Sequence, residues 1–403
     1  MKQLYNVITH PADNGGCGHY RMKFPAWAAQ SLRKDISIVE SPKLIHIPGF
    51  YQDVRMVRIQ RQLADYSLQF ILRFLKPLSE KIGFWLSYEI DDVVGKDDIP
   101  LYNSGWKTFQ SEKLMTNMKY ILQLCDVVTV TTDELGNYYH RKFGVDKRNL
   151  IVIPNYLPRW WIGESYNLER IEQKINNTND KRPRIGFISS STHFDLFNRN
   201  GGVDDFTHII DLIKNTCDKY EWVFIGGLPQ QLKELAAQKK ISFNPGFDIL
   251  NYPRIINNMN LQLMVAPLQD NIFNRCKSNI KFIECAALGM PCICQDLSPY
   301  KKYTDLRFTD ANDLQDKIDY VLGDKKRYMD IVKHNRNIVD EGDSNSPNGW
   351  WLENNMETWF QQFCVNQRSL RFDMRTIDFS KMETEGAPPA ESPKDNGEIK
   401  FEV

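Results

Sequence analysis

Short apolar runs recur along this chain, and between them lie longer stretches whose apolar residues are spaced three and four apart. Leu4 to Thr9 reads as a strand, Asp13-Asn-Gly-Gly-Cys-Gly18 as a glycine-rich turn, and Tyr20 to Leu32 as a helix. Extended runs at Ile36 to Val39, Leu44 to Ile47 and Val54 to Ile59 follow, then an amphipathic helix from Leu63 to Lys81. Phe84 to Ile90 is the next strand and ends in Asp91-Asp92. Helix Ser111 to Leu124 feeds strand Val127 to Thr131, and helix Asp133 to Phe143 feeds Leu150 to Ile153. This alternation predicts a wound parallel sheet of the α/β class.

The polar, asparagine-rich stretch from Glu172 to Lys181 reads as a linker. A second cycle then begins at Arg184-Ile-Gly-Phe-Ile-Ser-Ser-Ser191. It continues through a helix from Asp204 to Cys217 and strands at Trp222 to Ile225, Ile241 to Phe243, Leu261 to Ala266 and Cys292 to Cys294. The expected division is a first Rossmann-like unit over 1–160, a linker over 161–183 and a second such unit over 184–345. An aromatic helix around Trp350 to Cys364, within 346–365, is expected to pack back on the first unit, and 366–403 reads as a weakly ordered tail. Two such sheets place a ligand between the C-terminal ends of their strands.

The length of 403 residues agrees with two cores rather than one. The 51 basic and 51 acidic residues cancel, so bulk charge makes no case for nucleic acid. Eight cysteines show no ligand-like spacing, which argues against a metal site. No apolar run is long enough to span a membrane, and the N-terminus enters a strand without an apolar leader. The expectation is a cytoplasmic setting.

The most chemical stretch runs from Pro267 to Pro291. A buried strand feeds a polar loop, and a helix opens near Ser278; unpaired amides at such a helix start favour an anion. Lys277, Lys281, Glu284 and Leu288 share one helical face. Cations would sit near the anion, with a carboxylate deeper that can accept both hydrogen bonds of a sugar diol. That pattern suggests a nucleoside diphosphate carrying a group to be transferred. The plain alternative is a surface helix with an ordinary Lys281/Glu284 pair.

Asn14-Gly-Gly-Cys-Gly18, Tyr88-Glu-Ile-Asp-Asp92, Asp126-Val-Val-Thr-Val-Thr-Thr132 with Ile153-Pro-Asn155, and Phe273 to Pro291, in this order, resemble the retaining GT-B-fold glycosyltransferases. These are the large family that includes glycogen-synthase-like and sucrose-synthase-like enzymes. The resemblance implies a metal-independent transfer of a sugar from a nucleotide-diphosphate sugar, UDP-sugar favoured, to a hydroxyl acceptor. It implies that Gly15, Gly16 and Gly18 approach the donor diphosphate. Ser278 and Asn279 amides and the cations Arg275 and Lys277 would meet the same phosphates, and Glu284 would hold the ribose. Cys276 stands where the family places a sugar-facing glutamate, a departure that also leaves open a non-catalytic nucleotide-sugar-binding module.

Asp91 and Asp92 face the acceptor or cap the turn after their strand. His193, in Ser189-Ser-Ser-Thr-His-Phe-Asp195, meets a phosphate or the acceptor, or is a loop histidine bonded to Asp195. His10 and His19 could line the acceptor side. The acceptor is expected to be a glycan or lipid-linked glycan. The alternative is double-stranded DNA bearing hydroxymethylated cytosine, as modified by glycosyltransferases of tailed phages in the host cytoplasm. For that reading, Arg55, Arg58 and Arg61 would join other first-domain cations in a backbone-binding patch.

Overall fold

The computed structural model describes residues 5–176 and 182–364. Its first sheet contains β1 (Tyr5–His10), β2 (Ile36–Glu40), β3 (Val54–Gln60), β4 (Trp85–Glu89), β5 (Val127–Val130) and β6 (Leu150–Val152). All six strands run parallel, in the order β2-β1-β3-β4-β5-β6. The second sheet holds β7 (Arg184–Ile188), β8 (Glu221–Ile225), β9 (Ser242–Asn244), β10 (Leu263–Ala266), β11 (Cys292–Gln295) and β12 (Arg307–Phe308). It is also parallel, ordered β12-β11-β10-β7-β8-β9. Strand order reverses between β1 and β3 in one sheet and between β7 and β10 in the other. Diverging connections open a crevice at such points, so the loops after these four strands are where a ligand is expected.

Parallel strands covered on both faces are mostly apolar, and β10 and β11 are buried along nearly their whole length. One apolar cluster fills the first domain and another the second. A third joins them, from Tyr20 and Phe24 through Trp161 to Phe282, Trp351 and Trp359.

Four elements differ from the sequence reading. Leu44 to Ile47 forms no strand; Pro42 and Pro48 bracket it without donors for a ladder, and Pro48–Tyr51 is a 3-10 turn. The first half of the supposed linker is helical, Leu168–Asn176, because Ile171 and Ile175 lie one turn apart and bury on the second core; residues 177–181 lie outside the described residues. The Asp204 to Cys217 helix starts late, with a 3-10 turn at Thr207–Ile209 and the helix at Ile210–Thr216, which leaves Asp204 and Asp205 in a buried loop. Trp350 and Trp351 precede the last helix rather than begin it. Leu157 N–H donates to the Trp350 carbonyl at 2.9 Å and Leu352 N–H to the Leu157 carbonyl at 2.8 Å, after which Met356–Cys364 packs on the Phe24–Leu32 helix, β1 and β3. The expected tail over 366–403 lies outside the described residues.

Two long helices contain a wide π turn, His19–Lys23 and Ile71–Leu75. Each runs into a proline, Pro25 and Pro77, whose missing N–H and bulky ring disfavour the regular four-residue bond. The first of these turns carries Tyr20 and Arg21. Among the described residues no helix is long and apolar enough to cross a membrane.

Candidate active site

The loop after β10 is a built structure. Asn271 caps a short turn, Ile272–Arg275, by accepting from the Asn274 N–H at 2.9 Å. The helix Ile280–Ala287 follows, with Asn279 at its N-cap. The first domain reaches this loop from three places. Thr132 Oγ1 donates to the Cys276 carbonyl at 3.0 Å, and Asn155 Nδ2 donates to Ser278 Oγ at 2.9 Å. The Tyr102 hydroxyl accepts from Asn271 Nδ2 at 3.2 Å and Asn274 Nδ2 at 3.0 Å. Asn279 is 3 % exposed, and its Nδ2 has no hydrogen-bond partner among the described residues. A buried donor left unpaired costs about 1–3 kcal/mol. An acceptor atom brought by a ligand would recover that cost.

Lys277 stands where both domains act on it. Its ammonium lies 4.6 Å from the Phe273 ring centroid. Burial raises the Asp92 pKa, and the Lys277 charge opposes the rise; the same charge lowers the pKa of His193. Asp92, from the first domain, and His193, from the second, thus both feel the Lys277 charge. Arg275 does not join them: it is half exposed and its guanidinium binds Asp270, with Nη2 to Oδ2 at 2.7 Å. The Cys276 thiol turns into the first domain's apolar cluster, and burial pushes its pKa up to about 12.

Glu284 is no surface residue, so the solvent-facing Lys281/Glu284 pair is overturned, although Lys281 Nζ does lie 3.8 Å from its Oε2. The carboxylate is 4 % exposed and accepts from two tyrosines. Tyr252 donates to Oε2 at 3.0 Å, and Tyr20, from the opposite domain, donates to Oε1. Burial, then the Glu284 charge, pushes both phenols well up, which keeps them protonated donors. Trp161 stacks on Tyr252 at 5.5 Å and meets Tyr20 edge-on at 5.7 Å.

On the first-domain side, Asp13 closes the glycine loop on itself. Its Oδ1 accepts from Gly15 N–H at 2.8 Å and Gly18 N–H at 3.1 Å. A Cβ on Gly18 would lie 2.0 Å from the Asp13 carbonyl, so glycine is required there by the turn itself. Gly16 has more room, with Tyr20 its nearest neighbour at 3.8 Å. Arg61 ties the loop to the acidic pair through Asp13 at 3.0 Å and Asp91 at 3.4 Å.

The expected patch of Arg55, Arg58 and Arg61 does not form. Neighbours in a strand point to opposite faces, so residues three apart cannot share one. Arg58 is fully buried and meets Glu89 at 3.3 Å. Glu89 also binds Arg21 Nε at 2.7 Å and the Thr129 hydroxyl, and the Trp359 ring lies over both guanidiniums at 5.0 and 5.3 Å. Arg21 extends this network to Asn155 Oδ1 at 3.1 Å, one step from Ser278. His10 and His19 are buried, and their Nδ1 atoms pair with the carbonyls of Ser41 and Gly15 at 2.9 Å.

His193 is bonded to Asp205, not to Asp195. Asp195 instead accepts from the N–H groups of Arg199, Asn200 and Gly202. Asp205, Tyr20, Tyr252 and Asn155 escaped the sequence reading as site residues. The one local signal was the Asp204-Asp205 pair after a Gly-Gly turn, which reads equally well as a helix start. Among the described residues, no group of three His, Cys, Asp or Glu is placed to hold a metal.

No family model and no curated protein matches the sequence. Solved structures do match the fold. A glycosyltransferase from Rickettsia africae is 13 % identical with a TM-score of 0.56, over 90 % of this chain and 98 % of its own. Anabaena Alr3699/HepE in complex with UDP and glucose is 8 % identical with a TM-score of 0.58, over 89 % and 99 %. A Listeria monocytogenes protein assigned as a UDP-N-acetylglucosamine 2-epimerase is 11 % identical with a TM-score of 0.50, over 92 % and 100 %. At such identities the likeness speaks for architecture and not for chemistry. The chain thus carries the GT-B fold, two Rossmann-like domains whose wound parallel sheets face each other across a cleft.

Proposed function

We propose that this protein is a glycosyltransferase that takes a sugar from a nucleotide-diphosphate sugar bound between its domains. The observation that carries the reading is the buried, unpartnered Asn279 amide at the start of the Ile280–Ala287 helix, with Lys277 before it and Glu284 behind. Asn279, the first-turn amides and Lys277 take the diphosphate, and Glu284 takes the ribose diol. The nucleotide is uridine diphosphate, supported by the UDP and UDP-glucose complexes of the Anabaena protein that shares the fold.

As the anomeric bond weakens, charge grows on the departing phosphate, where a fixed ammonium and fixed amides stabilise it most. Anomeric configuration is retained, as the sequence resemblance implies. Asp92, whose carboxyl is pushed up by burial, and Asp91 face an acceptor hydroxyl from the first domain. The acceptor is a glycan or lipid-linked glycan; against the DNA alternative, Arg58 is spent on Glu89 and Arg61 on Asp13 and Asp91. Cys276 does not argue for a mere binding module, because its buried side chain packs within an apolar cluster.

Incubation with UDP-, GDP- and ADP-sugars and mixed glycan acceptors tests the reading. Acceptor-dependent release of UDP is expected. Interconversion of the sugar without acceptor would assign the fold's epimerase chemistry instead, and tight binding without turnover would assign a binding module.

A further inference from the structure

His193 sits on the loop that leaves β7, beside the crossover point of the second sheet, and its ring is held from one side. Nδ1 donates to Asp205 Oδ2 at 2.7 Å. Asp205 Oδ1 accepts from the Tyr102 hydroxyl at 2.7 Å, the Gln269 N–H at 2.8 Å and Asn274 Nδ2 at 2.7 Å. These donors come from both domains, and Asp205 is buried. Burial pushes its carboxyl up, but the bonds from His193, Gln269 and Tyr102 outweigh burial and hold it below the ordinary carboxylate range. An anion fixed in this way keeps the proton of a neutral imidazole on Nδ1. Nε2 has no hydrogen-bond partner among the described residues, and the side chain retains some exposure.

The charged groups that face the ring are Asp205, from the loop before the Ile210–Thr216 helix, and Lys277 and Lys281, from the segment after β10. Burial lowers the His193 pKa, Lys277 lowers it further and Asp205 raises it, with the balance below the ordinary value. Without a ligand charge beside it, the ring is therefore neutral at pH 7. A diphosphate shifts that balance toward the charged ring. Its charge offsets Lys277, and its oxygens repel a lone pair on Nε2 but accept from an N–H.

We infer that a nucleoside diphosphate entering this cleft draws a proton from solvent onto His193, so that an imidazolium oriented by Asp205 grips the phosphate. The inference rests on the nucleotide-sugar reading of the cleft. Asp205 acts through His193 and is a positioning residue.

Calorimetric titration of the full chain with UDP, GDP and ADP, at pH 7.5 in buffers of different ionisation enthalpy, tests it. For the nucleotide that binds, the apparent enthalpy should track the buffer with uptake of roughly one proton per site. Affinity should fall up to about tenfold per pH unit above neutrality. His193→Gln retains a donor for Asp205 but cannot take up the proton, so its affinity should be flat with pH apart from the nucleotide's own titration, which both proteins share. Asp205→Asn should reduce the uptake while His193 remains present. Equal buffer dependence in wild type and His193→Gln would overturn the inference and leave the nucleotide site standing. Failure of all three nucleotides to bind the wild type would remove both. Should His193→Gln not fold, zero or negative uptake by the wild type alone overturns the inference.

Discussion

Tyr20 and Glu284 meet across the domain boundary, the tyrosine hydroxyl donating to Oε1 of the carboxylate. Under the proposed function this bond occupies a position that one ribose hydroxyl requires. Nucleotide binding then involves an exchange of one hydroxyl for another, and Tyr20 leaves with its own domain.

Removing the competitor tests that exchange. Tyr20→Phe should raise nucleotide affinity about tenfold, because a charge-assisted bond no longer has to be broken first, and lower stability by about 1–2 kcal/mol. Calorimetry and urea denaturation of the variant read the two effects separately.

Glu284→Gln keeps the volume and weakens both charge-assisted acceptors. It should cost about 1.5–3 kcal/mol in nucleotide binding. Wild-type affinity in this variant would move the donor site away from the Ile280–Ala287 helix.

Lys277→Ala should separate binding from chemistry. A loss of about 10²- to 10³-fold in turnover is expected, with a much smaller change in ground-state donor affinity, because its partner's charge grows along the reaction. Single-turnover kinetics set beside equilibrium binding would show the split; an equal loss in both would make Lys277 a simple binding group.

Arg58→Ala removes one guanidinium and leaves Glu89 buried with fewer partners. Breaking a buried pair from one side costs about 3–5 kcal/mol. Chemical denaturation should show a large loss of stability, whereas a surface, backbone-binding arginine would show almost none.

The parallel strands were legible because strands buried on both faces read as continuous apolar runs. The strand, loop and helix around Lys277, Ser278, Asn279 and Glu284 were legible from their apolar runs. The helix, however, opens at Ile280 rather than near Ser278, so Lys277 and Ser278 lie in the loop before it and not on one helical face with Glu284. Asp205 was not legible, since its partners Tyr102, His193 and the pair Gln269 and Asn274 come from three separate segments and two acids before an apolar run look like a helix start. Arg58 misled for a related reason. A strand arginine reads as a surface cation until its buried carboxylate partner, Glu89 two residues along the neighbouring strand from its register mate Ser87, is in place.

The Trp359 ring over Arg21 and Arg58 has a consequence for the order of assembly. The first sheet and its buried ion network are synthesised long before the indole that covers them. Until the second domain has emerged and the chain has turned back, two guanidiniums and a carboxylate stay open to water on one face. The buried ion network of the N-terminal half is therefore closed over only once the Met356–Cys364 helix has packed back on it.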